Sequence, residues 1–198
     1  MSKLIPLVLG LVVFIGCHIV TRMQGVRASL IARLGAATYR AIYSVVAIAG
    51  LALIVYGFGS YRAAGMIPVW DTPRWMPHLV IPLMWVSFIL LAAAYLPGKI
   101  RTKAKHPMLL AVKIWAFTHL LANGDLGSIL LFGSFLGWAV YARIALKRAG
   151  TVEGVPGAQI IAGSSRNDAI AILVGSVATA LMVVWLHKLL IGVAIIGV

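Results

Sequence analysis

The chain alternates long apolar stretches with short basic ones, and this pattern predicts membrane-spanning helices. About 20 apolar residues are needed to cross the roughly 30 Å of hydrocarbon in a bilayer. Six stretches approach or reach that length: 4–20, 41–59, 78–96, 108–122, 126–146 and 169–186. The sequence therefore predicts an all-α, polytopic membrane helix bundle of about six transmembrane helices, forming a single domain over residues 1–198.

The loops between these stretches differ in charge. The first, third and fifth loops hold most of the basic residues: Arg22, Arg27, Arg33, Arg40, Lys99, Arg101, Lys103, Lys105, Arg143, Lys147, Arg148 and Arg166. Because basic loops face the cytoplasm, both termini are expected outside, in a multi-pass protein of the cell inner membrane. Segment 150–168 is then a cytoplasmic loop, and 169–198 forms the last helix and tail.

Composition supports this interpretation. Hydrophobic residues make up 62% of the chain and charged residues 11%, against roughly 45–50% and about 25% in soluble domains. A soluble globular protein is therefore excluded. The net charge of +13 is explained by the basic loops, so no nucleic-acid partner is expected. The amphipathic segment 28–34 is expected to lie on the inner leaflet of the lipid bilayer.

Two of the five histidines lie within apolar sequence, where ionisable residues need a reason. His18 is one helical turn before Arg22, and His119 shares a helix face with Trp115 and Asn123. Each imidazole is either a neutral group that hydrogen-bonds to a neighbouring helix or one of two axial ligands to a haem iron.

The depth of the two imidazoles leaves a further alternative open. His18 is about 6 Å deep if Arg22 marks the membrane boundary. His119 is about 20 Å deep if its helix enters the membrane at His106, and about 9 Å deep if it enters at Lys113. A shared iron requires similar depths and favours the second boundary.

The remaining polar residues offer few other sites. His78 and His187 fall at predicted outer helix ends, and His106 is a candidate cap or lipid contact beside Pro107. The single cysteine, Cys17, cannot form an internal disulfide. No two of the four acids are placed to form a carboxylate pair inside the membrane, and no HExxH or GxSxG motif is present. Helix glycines are interpreted as close-packing positions: Gly10, Gly16, Gly50, Gly57, Gly59, Gly133 and Gly137.

The fourth apolar stretch carries the most distinctive string, Lys105-His106-Pro107-Met108-Leu109-Leu110 followed by Lys113-Ile114-Trp115-Ala116-Phe117-Thr118-His119-Leu120-Leu121-Ala122-Asn123-Gly124. Together with His18 and Arg22 near the start and 131–139 further on, this closely resembles the NnrU family of bacterial membrane proteins. The likeness covers nearly all of residues 1–150. The family is associated with nitrite and nitric oxide reduction, and is related to the plant 15-cis-zeta-carotene isomerase, a haem b membrane enzyme.

The resemblance implies that one haem b is ligated by His18 and His119. Arg22 and Arg27 would hold its propionates, and His106, Trp115 and Asn123 are expected at the cofactor. Two roles follow: redox-linked sensing or electron transfer in nitrogen-oxide metabolism, with nitric oxide and a redox partner, or isomerisation of an apolar cis-polyene. The isomerase has a cysteine one turn before its second histidine, where this chain has Ala116; Cys17 is a candidate substitute.

Two other classes stay open. One is a non-catalytic assembly factor for a respiratory reductase. The Lys-His-Pro string is also similar to S-adenosylmethionine-dependent membrane methyltransferases, although the stretch 143–156 offers Glu153 alone where those enzymes place a pair of acids.

Overall fold

The computed structural model describes residues 2–149 and 163–196, and these are almost entirely helical. The described residues form no strand beyond an isolated bridge between Pro68 and Asp125. The all-α class is confirmed. In chain order the helices are α1 (Ile5–Val20), α2 (Gln24–Leu34), α3 (Ala36–Ala63), α4 (Met76–Ala93), α5 (Lys99–Ala104), α6 (Pro107–Ala122), α7 (Leu126–Ala149), α8 (Ser165–Leu181) and α9 (His187–Ile191), with a π-helical segment Met182–Leu186 before α9.

Several of these helices are long and apolar enough to cross a membrane, as expected of a multi-pass membrane protein. Within the described residues four segments qualify: α3, α4, Leu126–Arg148 and Ser165–Ile191. α1 and α2 qualify only together and are bent by 88° relative to each other. α6 is apolar but has only 16 residues. Four or five spans are therefore supported; the sixth span and the outer position of both termini stay predictions.

The predicted loop 150–168 ends earlier than expected. Residues 150–162 lie outside the described residues, and α8 begins at Ser165. Ser164 is its N-cap, because the Ser164 hydroxyl accepts a hydrogen bond from the Arg166 amide at 3.1 Å. Asp168 lies in the first turn, where a negative charge is favourable to the helix dipole. Residues 165–168 therefore belong to the last helix rather than to the loop.

The chain divides into two compact units, one comprising Met1–Asp71 with Asn123–Leu146 and the other Thr72–Ala122 with Lys147–Val198. In the first unit α1 and α3 pack in antiparallel directions. A Cβ atom added at Gly57 would lie 2.3 Å from the Leu7 nitrogen, and one at Gly50 would lie 2.8 Å from the Phe14 nitrogen. A Cβ at Gly10 would lie 2.6 Å from the Ile54 nitrogen.

The two helices therefore approach through bare backbone at three glycines, and the interpretation of Gly10, Gly50 and Gly57 as packing positions is confirmed. A Cβ at any of the other four helix glycines would meet nothing within 4 Å among the described residues: Gly16, Gly59, Gly133 and Gly137. These four glycines are therefore not contact positions in the described part of the chain, and the interpretation was wrong for them.

The first unit is completed by the start of α7. Asp125, which is buried, caps this helix: its carboxylate accepts hydrogen bonds from the Ser128 amide at 3.0 Å and the Ser128 hydroxyl at 2.6 Å. Tyr61 is fully buried, and its hydroxyl accepts a bond from the Ile67 amide at 2.8 Å. Its ring leaves no room for a side chain at Gly127. The end of α3 and the start of α7 are thus held by satisfied polar groups.

In the second unit α4 packs against both α6 and α8. The buried Ser87 hydroxyl donates to the Ala111 carbonyl at 2.9 Å, and the Trp85 indole donates to the Ser176 hydroxyl at 2.8 Å. α5, which hydropathy did not predict, begins where the Asp168 carboxylate accepts bonds from the Lys99 and Ile100 amides, each at 3.0 Å. This acid therefore ties the α4–α5 connection to α8.

Gly57 provides a test of the α1–α3 contact. Gly57→Ala should lower the free energy of unfolding in detergent by about 1–3 kcal/mol, because the new methyl group overpacks the contact with Leu7. The measurement is equilibrium unfolding followed by circular dichroism. Gly59→Ala is the matched control: a Cβ there meets nothing within 4 Å, so helix propensity alone predicts no loss or a small gain. Equal stability of the two variants would contradict this packing.

Candidate functional site

His18 lies in the last turn of α1 and is half-buried. Its Nδ1 atom is 2.7 Å from the Phe14 carbonyl oxygen, one turn back along the helix. A carbonyl oxygen only accepts hydrogen bonds, so Nδ1 carries the proton and the lone pair of the ring is on Nε2. This arrangement fixes both the tautomer and the ring orientation, as in histidines that bind metals.

Aromatic rings surround the His18 imidazole within the first unit. The ring centroid of Phe14 is 4.2 Å away, and those of Tyr43 and Trp138 are each 5.5 Å away. The Trp138 Nε1 atom is buried and has no hydrogen-bond partner among the described residues. Helices α1, α3 and α7 therefore build an apolar, aromatic environment around a single imidazole.

Arg22 follows α1 in the turn before α2 and is half-buried. Its Nε atom is buried and unpartnered within the described residues. Burial lowers the pKa of the Arg22 guanidinium, and the positive charge of Arg27 also lowers it, whereas Tyr43 raises it. Residues 1–70 contain no Asp or Glu. The first unit thus holds a partly buried guanidinium whose Nε atom has no partner among the described residues, which is a suitable position for an anionic group.

His119 lies in the last turn of α6, in the second unit, and is anchored in the same way as His18. Its Nδ1 atom is 2.8 Å from the Trp115 carbonyl oxygen, and the two rings have centroids 5.3 Å apart. The neighbouring Thr118 is fully buried and also donates to the Trp115 carbonyl, at 2.9 Å. The lone pair of the His119 imidazole is therefore also on Nε2.

Two of the other predicted cofactor contacts occupy helix boundaries. His106 precedes α6, and its carbonyl accepts the Leu110 amide at 3.1 Å, so this residue begins the helix. Asn123 follows the end of α6 at Ala122 and belongs to the first unit, so it does not continue the helix face of Trp115 and His119. The helix ends there because the Gly124 carbonyl accepts bonds from the Val69 and Trp70 amides.

Cys17 is the candidate substitute for the cysteine that the related isomerase has at the position of Ala116. Its sulfur is 3.4 Å from His18 Nδ1 and donates to the Phe14 carbonyl at 3.1 Å. The thiol is therefore beside the anchored nitrogen of the ring, away from the nitrogen that carries the lone pair. Ala116 itself is fully buried in α6.

Two residues were not predicted at the site: Tyr43 and Trp138 contact His18. His187, expected at an outer helix end, follows the π-helical segment, and its Nδ1 atom donates a hydrogen bond to the Val193 carbonyl at 2.8 Å. Trp138 was visible in the distinctive string 131–139, but the sequence alone did not indicate its contact with His18.

The described residues contain no group of three or more His, Cys, Asp or Glu side chains arranged to hold a metal ion. A haem needs fewer protein ligands, because the porphyrin supplies four nitrogens and the protein only the axial positions. His18 in the first unit and His119 in the second each carry the lone pair on Nε2, which is the chemistry of an axial ligand. Two of the acids in the described part of the chain act as helix caps instead: the buried Asp125 caps α7, and the partly exposed Asp168 caps α5.

These features define a polytopic α-helical membrane protein with two backbone-anchored histidines in apolar helices. A family model described as NnrU protein matches residues 6–195, nearly the whole chain. The chain therefore belongs to the NnrU family, as its sequence resemblance indicated. Comparisons with curated proteins and with solved structures give no significant match.

The tautomers of His18 and His119 can be measured directly. In cofactor-free protein labelled with 15N-histidine, both residues should carry the proton on Nδ1 at neutral pH, because each Nδ1 donates to a carbonyl. Nitrogen chemical shifts and long-range nitrogen–proton couplings report this. His78, exposed at the start of α4, serves as the internal comparison. A proton on Nε2 of His18 or His119 would contradict the geometry.

Proposed function

We propose that the protein binds one haem b through His18 and His119 and has a redox-linked role in nitrogen-oxide metabolism. The observation that carries the proposal is the shared anchoring of the two imidazoles. Each Nδ1 donates to the carbonyl one turn back, at 2.7 Å in His18 and 2.8 Å in His119. Both rings therefore present Nε2 as the ligating nitrogen, the state required for axial binding to iron.

Arg22 and Arg27 are assigned to the haem propionates. The Arg22 Nε atom is buried without a partner among the described residues, and an unpaired buried donor is costly. A carboxylate would accept from it in a charge-assisted hydrogen bond. The absence of acidic residues in 1–70 means that neighbouring side chains in this part of the sequence do not compete for the guanidinium.

The aromatic residues around His18 would keep water from that axial ligand. Phe14 stacks against the imidazole, while Tyr43 and Trp138 approach it edge-on. A bound haem would supply reversible one-electron chemistry and a binding position for nitric oxide at iron. The polarity of the surrounding residues affects its reduction potential. Membership of the NnrU family connects this chemistry to nitrogen oxides in a membrane setting.

Isomerisation of a cis-polyene is less well supported by the residues of this chain. The ligand exchange implied by the related isomerase requires a cysteine where Ala116 is buried. Cys17 lies beside the anchored nitrogen of His18, so its position does not favour a role as the replacement ligand. The sensing or electron-transfer role requires only the two imidazoles and is therefore preferred.

Absorption spectroscopy tests the haem assignment. Protein purified in detergent from haem-replete cells should show a Soret band and, when reduced, split alpha and beta bands. His18→Ala and His119→Ala should each reduce the haem-to-protein ratio by roughly tenfold or more, since even residues that only support a metal ligand are worth 10–100-fold in metal affinity. His78→Ala is the control, because His78 is exposed at the start of α4. Unchanged spectra in both ligand variants would refute the assignment.

Nitric oxide and a polyene precursor test the two roles of a bound haem. In the sensing role, nitric oxide added to the reduced protein without oxygen should change the Soret band, because haem iron would provide a position for nitric oxide. The alternative predicts altered isomer composition in cells that make a cis-polyene precursor, compared with cells expressing His119→Ala. Altered isomer composition together with an unchanged Soret band would overturn the sensing role.

A further inference from the structure

A cavity of about 180 Å³ lies in the first unit between α1, α2 and α3. Val20 of α1, Leu30 and Leu34 of α2, and Tyr39 and Val46 of α3 are among the residues that line it. The lining is apolar apart from the tyrosines and Cys17. The cavity is therefore suited to a hydrocarbon chain rather than to a polar metabolite.

The cavity begins where the close packing of α1 and α3 ends. Gly50 allows backbone contact with Phe14, and the larger side chain of Val46 follows on α3, one turn closer to the start of that helix. α2 is bent by 88° from α1 and has no buried residue, which is typical of a helix lying in the membrane interface. The α3 wall thus runs from Tyr39, near the interface, to Val46, deeper in the bilayer.

Tyr39 provides the second observation. This residue lines the cavity with only 9% of its surface exposed, and its hydroxyl is buried without a hydrogen-bond partner among the described residues. Buried hydroxyls are nearly always paired, because an unpaired one loses its hydration without compensation. An acceptor oxygen on a bound molecule would satisfy it.

Two exposed arginines adjoin cavity-lining residues in the chain. Arg33 precedes the lining residue Leu34, and Arg40 follows Tyr39. α3 begins after Gly35 with no side-chain cap and no acid in its first turn, so the positive end of its dipole is not neutralised by a side chain. This charge is complementary to an anionic group at the membrane surface.

We infer that this cavity is a binding site for a single phospholipid with an anionic headgroup. One acyl chain enters between α1 and α3 along the wall from Tyr39 to Val46. The phosphate lies at Arg33, Arg40 and the start of α3, and the Tyr39 hydroxyl donates to a lipid oxygen. The proposed lipid contacts use neither the histidines nor Arg22, although Cys17 and Tyr43, which line the cavity, also contact His18.

Native mass spectrometry of delipidated protein tests the site, with phosphatidylglycerol and phosphatidylcholine as probes. Phosphatidylglycerol should form a one-to-one adduct with the protein, and phosphatidylcholine should form less of this adduct. Val46→Trp should abolish this adduct by filling the cavity. Val45→Trp is the matched control, since Val45 is the adjacent residue, is 67% exposed and does not line the cavity.

The headgroup contacts are tested by charge removal. Arg33→Gln combined with Arg40→Gln should weaken phosphatidylglycerol binding by about tenfold or more, as expected for two basic residues near an anionic lipid. Arg148→Gln, an exposed arginine near the end of α7, should leave binding unchanged.

Tyr39→Phe should affect the melting temperature differently in the absence and in the presence of lipid. Without phosphatidylglycerol the variant should melt at or above the temperature of the unmodified protein, because an unpaired buried hydroxyl has been removed. With phosphatidylglycerol its melting temperature should rise by less than that of the unmodified protein. This measurement keeps the proposal testable if Val46→Trp does not fold.

Four results would overturn the proposal. The first two are equal binding of phosphatidylcholine and phosphatidylglycerol, and equal lipid binding by Val46→Trp and Val45→Trp. The third is stabilisation by inorganic phosphate as large as that by the lipid, which would indicate a free-anion site. Loss of haem together with lipid in Val46→Trp would make the cavity part of the haem site; the lipid measurements themselves do not depend on haem.

Discussion

A polar side chain within a bilayer must find its hydrogen-bond partners inside the protein, and this constraint governs the apolar helices of this chain. Thr118, Thr179 and both anchored histidines solve it locally, by donating to a carbonyl one turn back. A threonine has then used its only donor. A histidine has a second ring nitrogen, and the Nδ1 hydrogen bond places the lone pair on it. The hydrogen bond that satisfies the histidine within the membrane therefore also fixes the tautomer that binds a metal.

Much of the fold follows from hydropathy, since each predicted apolar stretch corresponds to a helix. The predicted stretches and the observed helices differ where contacts between residues far apart in the sequence set the helix ends. α5 begins at Lys99 because Asp168, far along the chain, accepts its first amides. α3 extends beyond 41–59 to Ala36–Ala63, because Tyr39 and Tyr61 are buried at its ends although they lower its hydropathy. Neither effect is visible in a local window of sequence.

The candidate site was only partly predictable for the same reason. His18, Arg22 and the pair Trp115–His119 were identified because ionisable and aromatic residues at helical spacing are local features. Tyr43 and Trp138 come from other helices, and their contact with His18 depends on the register of α1 against α3 and on the placement of α7. The glycines Gly10, Gly50 and Gly57 identified the contact faces, but their partners became known only from the structure.

The proposed function depends on two imidazoles, each held by its Nδ1 proton, as the ligands of one haem iron. Near-infrared magnetic circular dichroism of the oxidised, purified protein is the decisive measurement, because the energy of the charge-transfer band identifies the pair of axial ligands. We expect the band of a bis-imidazole low-spin ferric haem, at one haem per chain. A band typical of histidine–methionine or histidine–thiolate ligation, or protein from haem-replete cells that contains no haem, would contradict it.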